Sequence, residues 1–312
     1  MKKITIFVML LCLFAVAGCE EKETMQNIAS MDSRTASYDV TMKRDLLCLM
    51  MAYPEYITDV KREINGSVYV IMKSGKRILY DDKKEKNHNE KLANADLQDM
   101  MEQIYPLSDI TNLMAEDFDP GRARVYALLK EVYGGSKGQV EKNLIPVKVG
   151  YKNYSFNRNN KAAEALQSVM KELVLLTEKR QDIRSCVFPA SGTFNYRVIA
   201  GTNQLSAHSF GIAIDLASDK RDYWKWTSRK EGERRLNSYP REIVQIFEKN
   251  NFIWGGKWGH FDILHFEYRP ELTLKSRYFA DEPAAGKPWY DGLPSEDAVI
   301  KNYIWLIEKA LE

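Results

Sequence analysis

An aspartate sits inside the run Gly211-Ile212-Ala213-Ile214-Asp215-Leu216-Ala217, which is otherwise apolar and reads as a buried strand. A carboxylate taken out of water without a partner is expensive. This stretch can therefore be a core strand only if something positive meets Asp215. The chain has four histidines, His88, His208, His260 and His265, and three of them fall between positions 208 and 265.

A metal cation would supply the charge. A catalytic zinc takes three protein donors from His and Asp/Glu and keeps its fourth position for water. His208, Asp215 and His265 make such a set. Side chains alternate along a strand, so residues an odd number apart face opposite ways. His208 precedes Asp215 by seven residues, which predicts that it lies in a loop ahead of the strand, with Gly211 providing the turn. The same parity sets Asp262 apart from His265 and places it at a bend where the strand begins. From there it can reach metal-bound water without being a ligand, which is where a general base belongs. His260 flanks the tryptophan-rich turn Trp254-Gly255-Gly256-Lys257-Trp258 and is expected to pack or line the cleft. His88, in Lys83-Lys84-Glu85-Lys86-Asn87-His88-Asn89-Glu90, is expected at the surface.

The N-terminus adds a compartment. Lys2 and Lys3 precede an apolar run over 4–16, too short to span a membrane comfortably, and Val16-Ala17-Gly18-Cys19 resembles a bacterial lipobox. Residues 1–18 thus read as a lipoprotein signal peptide, Cys19 as the lipidated first residue of the mature chain, and 19–38 as a polar tether. The protein is expected to be exported and lipid-anchored to a bacterial membrane, on its periplasmic or cell-envelope face. Cys48 and Cys186 both lie in apolar surroundings and are expected as buried thiols, although an oxidising compartment would permit a bridge. With 45 basic against 43 acidic residues and no basic run interleaved with aromatics, no nucleic-acid partner is expected.

The remaining chain divides into an accessory region over 39–150, the zinc-bearing region over 151–290 and a C-terminal helix within 291–312. In the first, the pattern predicts a helix over 42–52, a hairpin turning at 73–76, a helix near 96–105, and another opened by Asp119-Pro120 and stopped by Gly134-Gly135. The second opens with a helix over 160–179, followed by extended runs at 193–200, 211–217 and 263–268 and a helix over 240–247. The last helix is predicted over 296–311, capped by Ser295, with Val299, Ile300, Tyr303, Ile307 and Ala310 turned inward. The whole is an α+β chain: a small antiparallel sheet flanked by helices carries the zinc site, with an N-terminal accessory region.

The pattern Ser206-x-His208-x-x-Gly211-x-Ala213-x-Asp215, followed by Trp254-Gly255-Gly256 and Asp262-x-x-His265, resembles the zinc peptidases that include VanY-type D-Ala-D-Ala carboxypeptidases. It is more similar to the subgroup containing L-alanyl-D-glutamate endopeptidases, over roughly residues 155–272. The resemblance implies Zn2+ on His208, Asp215 and His265, Asp262 as the base, and Arg197 as the arginine that holds substrate and stabilises the oxyanion. It also places Ser206 near the substrate. Peptidoglycan stem peptides are the implied partner, and either of the two bonds remains open as the target. The alternatives are a non-catalytic wall-binding zinc lipoprotein and a D-Ala-D-Ala dipeptidase acting on free dipeptide. Oligomeric state and the role of 39–150 are left open.

Overall fold

The computed structural model describes residues 37–312. The lipobox, Cys19 and nearly all of the tether lie outside the described residues. The chain divides into two compact units, one ending at Arg44 and one from Asp45 to Glu312. The described part of the first, 37–44, is helical. Apart from the helix that crosses this boundary, all that follows concerns the second.

Helix α1 (37–52) stops ahead of Pro54, as the proline requires. Strands β1 (Ile57–Arg62), β2 (Val68–Met72) and β3 (Arg77–Leu79) form an antiparallel meander. The expected hairpin pairs Val70 with Ile78, and Val68, Val70 and Met72 alternate inward. Helices α2 (His88–Ala93) and α3 (Leu97–Met101) each open on a capping box, Asn87 with Glu90 and Asp96 with Asp99. Helix α4 (Tyr126–Tyr133) does not begin at Asp119-Pro120. The Asp119 carboxylate is engaged by Arg122 and His260, so it has no helix to cap. Gly134 does end α4, at a φ of 126° that side chains avoid.

After α5 (Lys137–Lys142), the hairpin of β4 (Leu144–Val149) and β5 (Lys152–Asn157) straddles residue 150. Helix α6 (Ala162–Thr177) buries Ala162, Leu166, Val169, Met170 and Leu173, and α7 (Gln181–Val187) follows. The run at 193–200 is not a strand; isolated bridges at Gly192–Asp215 and Val198–Leu205 hold it. A side chain also bonds its backbone, beside the hydrogen bonds to His208, Gln204 and Ser206. The Ser209 hydroxyl accepts from the Arg197 N–H and donates to the Arg197 carbonyl.

The site sheet is assembled from β6 (Ala213–Asp215), then, after α8 (Arg229–Ser238) and α9 (Arg241–Lys249), β7 (Phe252–Trp254) and β8 (His265–Tyr268). It is antiparallel with β8 central. Behind it Phe247 of α9 stacks on Phe266 with ring centres 3.9 Å apart, and Tyr239 stacks on Trp254 at 5.3 Å. Helix α10 (Pro270–Tyr278) leaves the sheet, and α11 (Ala298–Leu311) packs on β1. Asp297, not Ser295, caps α11, because its carboxylate accepts from two N–H groups, those of Val299 and Ile300. The buried face is Ile300, Ile304 and Ile307, and Val299, expected inward, is 55% exposed. Cys48 and Cys186 are buried and not bridged to each other.

The loop before α4 runs along the tryptophan-rich turn. The Gly259 N–H donates to the Phe118 carbonyl at 2.7 Å, the Trp258 indole to Pro120 at 2.8 Å, and the Lys257 ammonium to Pro106 at 2.7 Å. The approach leaves no room for a side chain: a Cβ on Gly259 would stand 1.9 Å from the Ala115 carbonyl oxygen. Gly259→Ala is therefore expected to cost about 1–3 kcal/mol through overpacking against backbone, read as a lower midpoint in urea with unchanged slope.

Candidate active site

Strand register brings two of the nominated residues together. Asp215 of β6 lies directly opposite His265 of β8, so both side chains leave the same face of the sheet. His208 arrives from a single 3-10 turn, Ala207–Phe210, which the parity argument requires to be out of the strand. Ser206 caps that turn, its hydroxyl accepting from the His208 N–H at 3.4 Å, and Gly211 closes it at a φ of 67°.

The donor atoms converge. His208 Nε2 lies 3.2 Å from Asp215 Oδ2, His265 Nδ1 lies 2.9 Å from Asp215 Oδ1, and the two nitrogens are 3.3 Å apart. Ligands about 2.0–2.2 Å from a tetrahedral zinc stand roughly 3.3–3.6 Å from one another, so the trio is close to ligand spacing. The histidine tautomers also fit. His208 Nδ1–H donates to the Thr193 carbonyl, which turns the Nε2 lone pair inward. His265 faces inward through Nδ1, and its Nε2 is 3.7 Å from Glu267 Oε2.

The electrostatics ask for a cation. Burial alone would push His265 down, but its hydrogen bond to Asp215, reinforced by Glu267, brings its pKa up to about 10. Burial would push Asp215 up, yet His208 and His265 hold it well below the usual carboxylate range. A trio that grips positive charge this firmly, with two ring nitrogens aimed at one carboxylate, suits a bound dication.

Asp262 sits on the turn leading into β8, where its N–H donates to the Gly255 carbonyl at 2.9 Å and its C=O accepts from His265 at 3.1 Å. It does not join the trio, and burial raises its carboxyl to about 7 despite the opposing charge of His265. Arg197 is exposed at the cleft rim. One cavity of about 410 Å³ is lined by His208, Asp215, Asp262 and His265 together with Arg197 and Ser206. A larger cavity, about 660 Å³, lies between the β4–β5 hairpin and α6 and holds no comparable donor set.

The sequence reading missed what the accessory region contributes. Asn89, Leu92, Arg122 and Arg124 line the same cleft. His88, expected at the surface, is only 17% exposed, because its Nε2 lies 3.1 Å from Asp119 Oδ2. His260 Nδ1 meets the same oxygen at 2.7 Å, and the two imidazoles stack with centres 6.0 Å apart. These three form a second His/His/Asp group among the described residues. The Arg122 guanidinium already stands 2.6 Å from that carboxylate and supplies its positive charge.

Behind the trio lies a buried run of charges. Glu267 takes a two-point contact from Arg124, at 3.0 and 2.5 Å, and Arg269 bridges Glu267 to Glu271, which accepts from the Tyr53 hydroxyl at 2.7 Å. Arg124, Arg269 and His265 hold Glu267 ionised at full burial, against the upward push of desolvation. Arg124→Met would leave a buried carboxylate short of its main partner, and a loss of about 3–5 kcal/mol is expected in chemical denaturation.

Comparison with known proteins falls on this same segment. Residues 200–268 match a family model described as D-alanyl-D-alanine carboxypeptidase. The peptidoglycan L-alanyl-D-glutamate endopeptidase CwlK of Bacillus subtilis (strain 168) is 37% identical over 67 residues, covering 21% of this chain and 40% of that relative. The chain thus spans less than half the length of the curated relative it matches. No solved structure matches the chain. The resemblance read from the motifs holds over the stretch that carries His208, Asp215, Asp262 and His265.

Proposed function

We propose, from the premise that residues 200–268 are a segment of the D-alanyl-D-alanine carboxypeptidase family, that this chain is a zinc peptidase acting on peptidoglycan stem peptides. The observation that carries the reading is the convergence of His208, Asp215 and His265 in the cleft that also holds Asp262. These three would hold Zn2+. Bound there, zinc would lower the pKa of its water to about 7 and polarise the scissile carbonyl.

The rest falls to the side chains. Asp262 accepts the proton of the attacking water and returns it to the leaving amine, and its raised pKa suits both transfers. Arg197 at the rim faces the charge that develops on the carbonyl oxygen. Ser206 holds the turn that presents His208. Trp224 and Trp258 wall the cleft against water. A non-catalytic zinc lipoprotein would have no use for a carboxylate poised beside the trio and outside it.

Between the two bonds we favour L-Ala-D-Glu, on the motif set and on the relative from B. subtilis. Incubating the zinc-loaded full chain with defined muropeptides and weighing the products tests this. Release of free D-alanine with L-Ala-D-Glu intact would make it a carboxypeptidase; cleavage of free D-Ala-D-Ala alone would make it a dipeptidase.

The anchor is a separate proposal. No helix among the described residues is long and apolar enough to cross a membrane, and Cys19 is proposed to hold the protein there through lipid. Cys19→Ala is expected to shift it out of the membrane fraction or leave it unprocessed, with the lipid mass missing. An unchanged fractionation and intact mass would refute the anchor.

A further inference from the structure

The accessory region carries no motif, yet it supplies one wall of the cleft, and that wall is charged. The cations lining the cleft are Arg122, Arg124, Arg197 and Lys225 beside its histidines, and its carboxylates are Asp215 and Asp262. Asp215 and Asp262 are both committed to the chemistry. Arg124 is neutralised by its two-point contact with Glu267. Lys225 lies over the face of Trp224 at 5.0 Å. Arg197 is assigned to the scissile carbonyl. Arg122 is paired with Asp119 through one nitrogen, and that pair leaves the rest of its guanidinium unbonded.

Its geometry is that of an anchored fork. One nitrogen, Nη1, donates to Asp119 at 2.6 Å, and Nε and Nη2 have no hydrogen-bond partner among the described residues. The side chain is 24% exposed. Asp119 is itself fixed, since it also accepts from the backbone N–H and ring of His260. Arg122 is therefore held at one corner, lines the cleft, and keeps two nitrogens for a ligand, enough to grip a carboxylate at two points. It also stands at the reactive end. Its guanidinium is 6.0 Å from the Trp258 ring, and that ring is 5.5 Å from the ring of His265. Tyr223 and Asp262 line the same cleft as Arg122.

We propose that Arg122 forms a carboxylate subsite of this cleft and binds the free α-carboxylate on the residue that leaves. The proposal rests on the peptidase reading, and the substrate chemistry suits it for either bond. In L-Ala-D-Glu the glutamate continues the stem through its γ-carboxyl, so its α-carboxylate is free. In D-Ala-D-Ala the terminal residue ends in one. Both put an anion beside the scissile nitrogen, and one subsite serves both.

The test uses two peptides that differ only in carrying a carboxylate or a carboxamide on the leaving residue. Wild type should prefer the acid by roughly 10–100-fold in kcat/KM, the scale of a charge-assisted hydrogen bond. Arg122→Gln should bring that ratio near one by raising KM for the acid, with the amide peptide cut as before. Arg122→Lys keeps the charge without the fork and should fall between; it also carries the test should the glutamine variant fail to fold. Equal losses on both peptides would show a structural role and overturn the subsite, as would a variant that keeps the preference. If wild type cuts neither peptide, the peptidase reading fails, and calorimetric titration of the zinc-loaded protein with each then decides the subsite. The same acid-over-amide ratio in affinity, lost in Arg122→Gln, supports it; equal affinities overturn it.

Discussion

Asp262→Asn is expected to keep its zinc and lose its turnover. The side chain keeps its size and can still hydrogen-bond, but an amide cannot accept the proton of the attacking water. The turn that carries it is held by backbone hydrogen bonds to Gly255 and His265, which the substitution leaves alone. The trio of donors does not include it. Metal content by elemental analysis should therefore stay near one per chain, the fold should melt as before, and single-turnover cleavage of a muropeptide should fall by about 10²–10⁴. A variant that loses zinc would make Asp262 a ligand, and one that keeps full activity would remove it from the mechanism.

Replacing any one of His208, Asp215 and His265 with alanine is expected to have the opposite signature: zinc goes, and activity follows it. Each supplies one of three donor groups whose nearest atoms stand 2.9–3.3 Å apart, so no remaining pair closes the site. Stability gives a readout that does not depend on catalysis. A ligand that binds only the folded chain stabilises it by about 4 kcal/mol at a thousandfold excess over Kd, so zinc should raise the melting temperature of the wild type and chelator should reverse the gain. The alanine variants should show neither response. Stoichiometric zinc in any of the three would remove that residue from the proposed set.

Where the structure could be read from sequence, a local rule carried the information. The odd spacing of His208 and Asp215 demands a turn between them, and the 3-10 turn closed by Gly211 provides it. The same parity puts Asp262 outside β8. Where reading failed, the deciding contact was distant or the rule had two answers. Nothing near Asp119 marks it as the partner of His260, since 141 positions separate them. Ser295 and Asp297 are both good caps, and the buried face of α11 keeps the expected Ile300 and Ile307 but takes Ile304 and leaves Val299 exposed. Residues 193–200 have a composition that suits a strand, but their pairing stops at an isolated bridge between Val198 and Leu205, and the Ser209 hydroxyl, 12 positions from Arg197, bonds their backbone.

The family match stops at residue 268, but the charges of its last strand do not. Glu267 is completed by Arg124, and the adjoining Arg269 by Glu271 and, through it, Tyr53. A gene fragment beginning at residue 151 would encode Glu267 without the arginine that answers it and would ask the interior to hold the imbalance. The matched segment is thus not a cassette. In recombination between relatives, or in trimming the chain for crystallisation, Arg124 and Tyr53 have to travel with it.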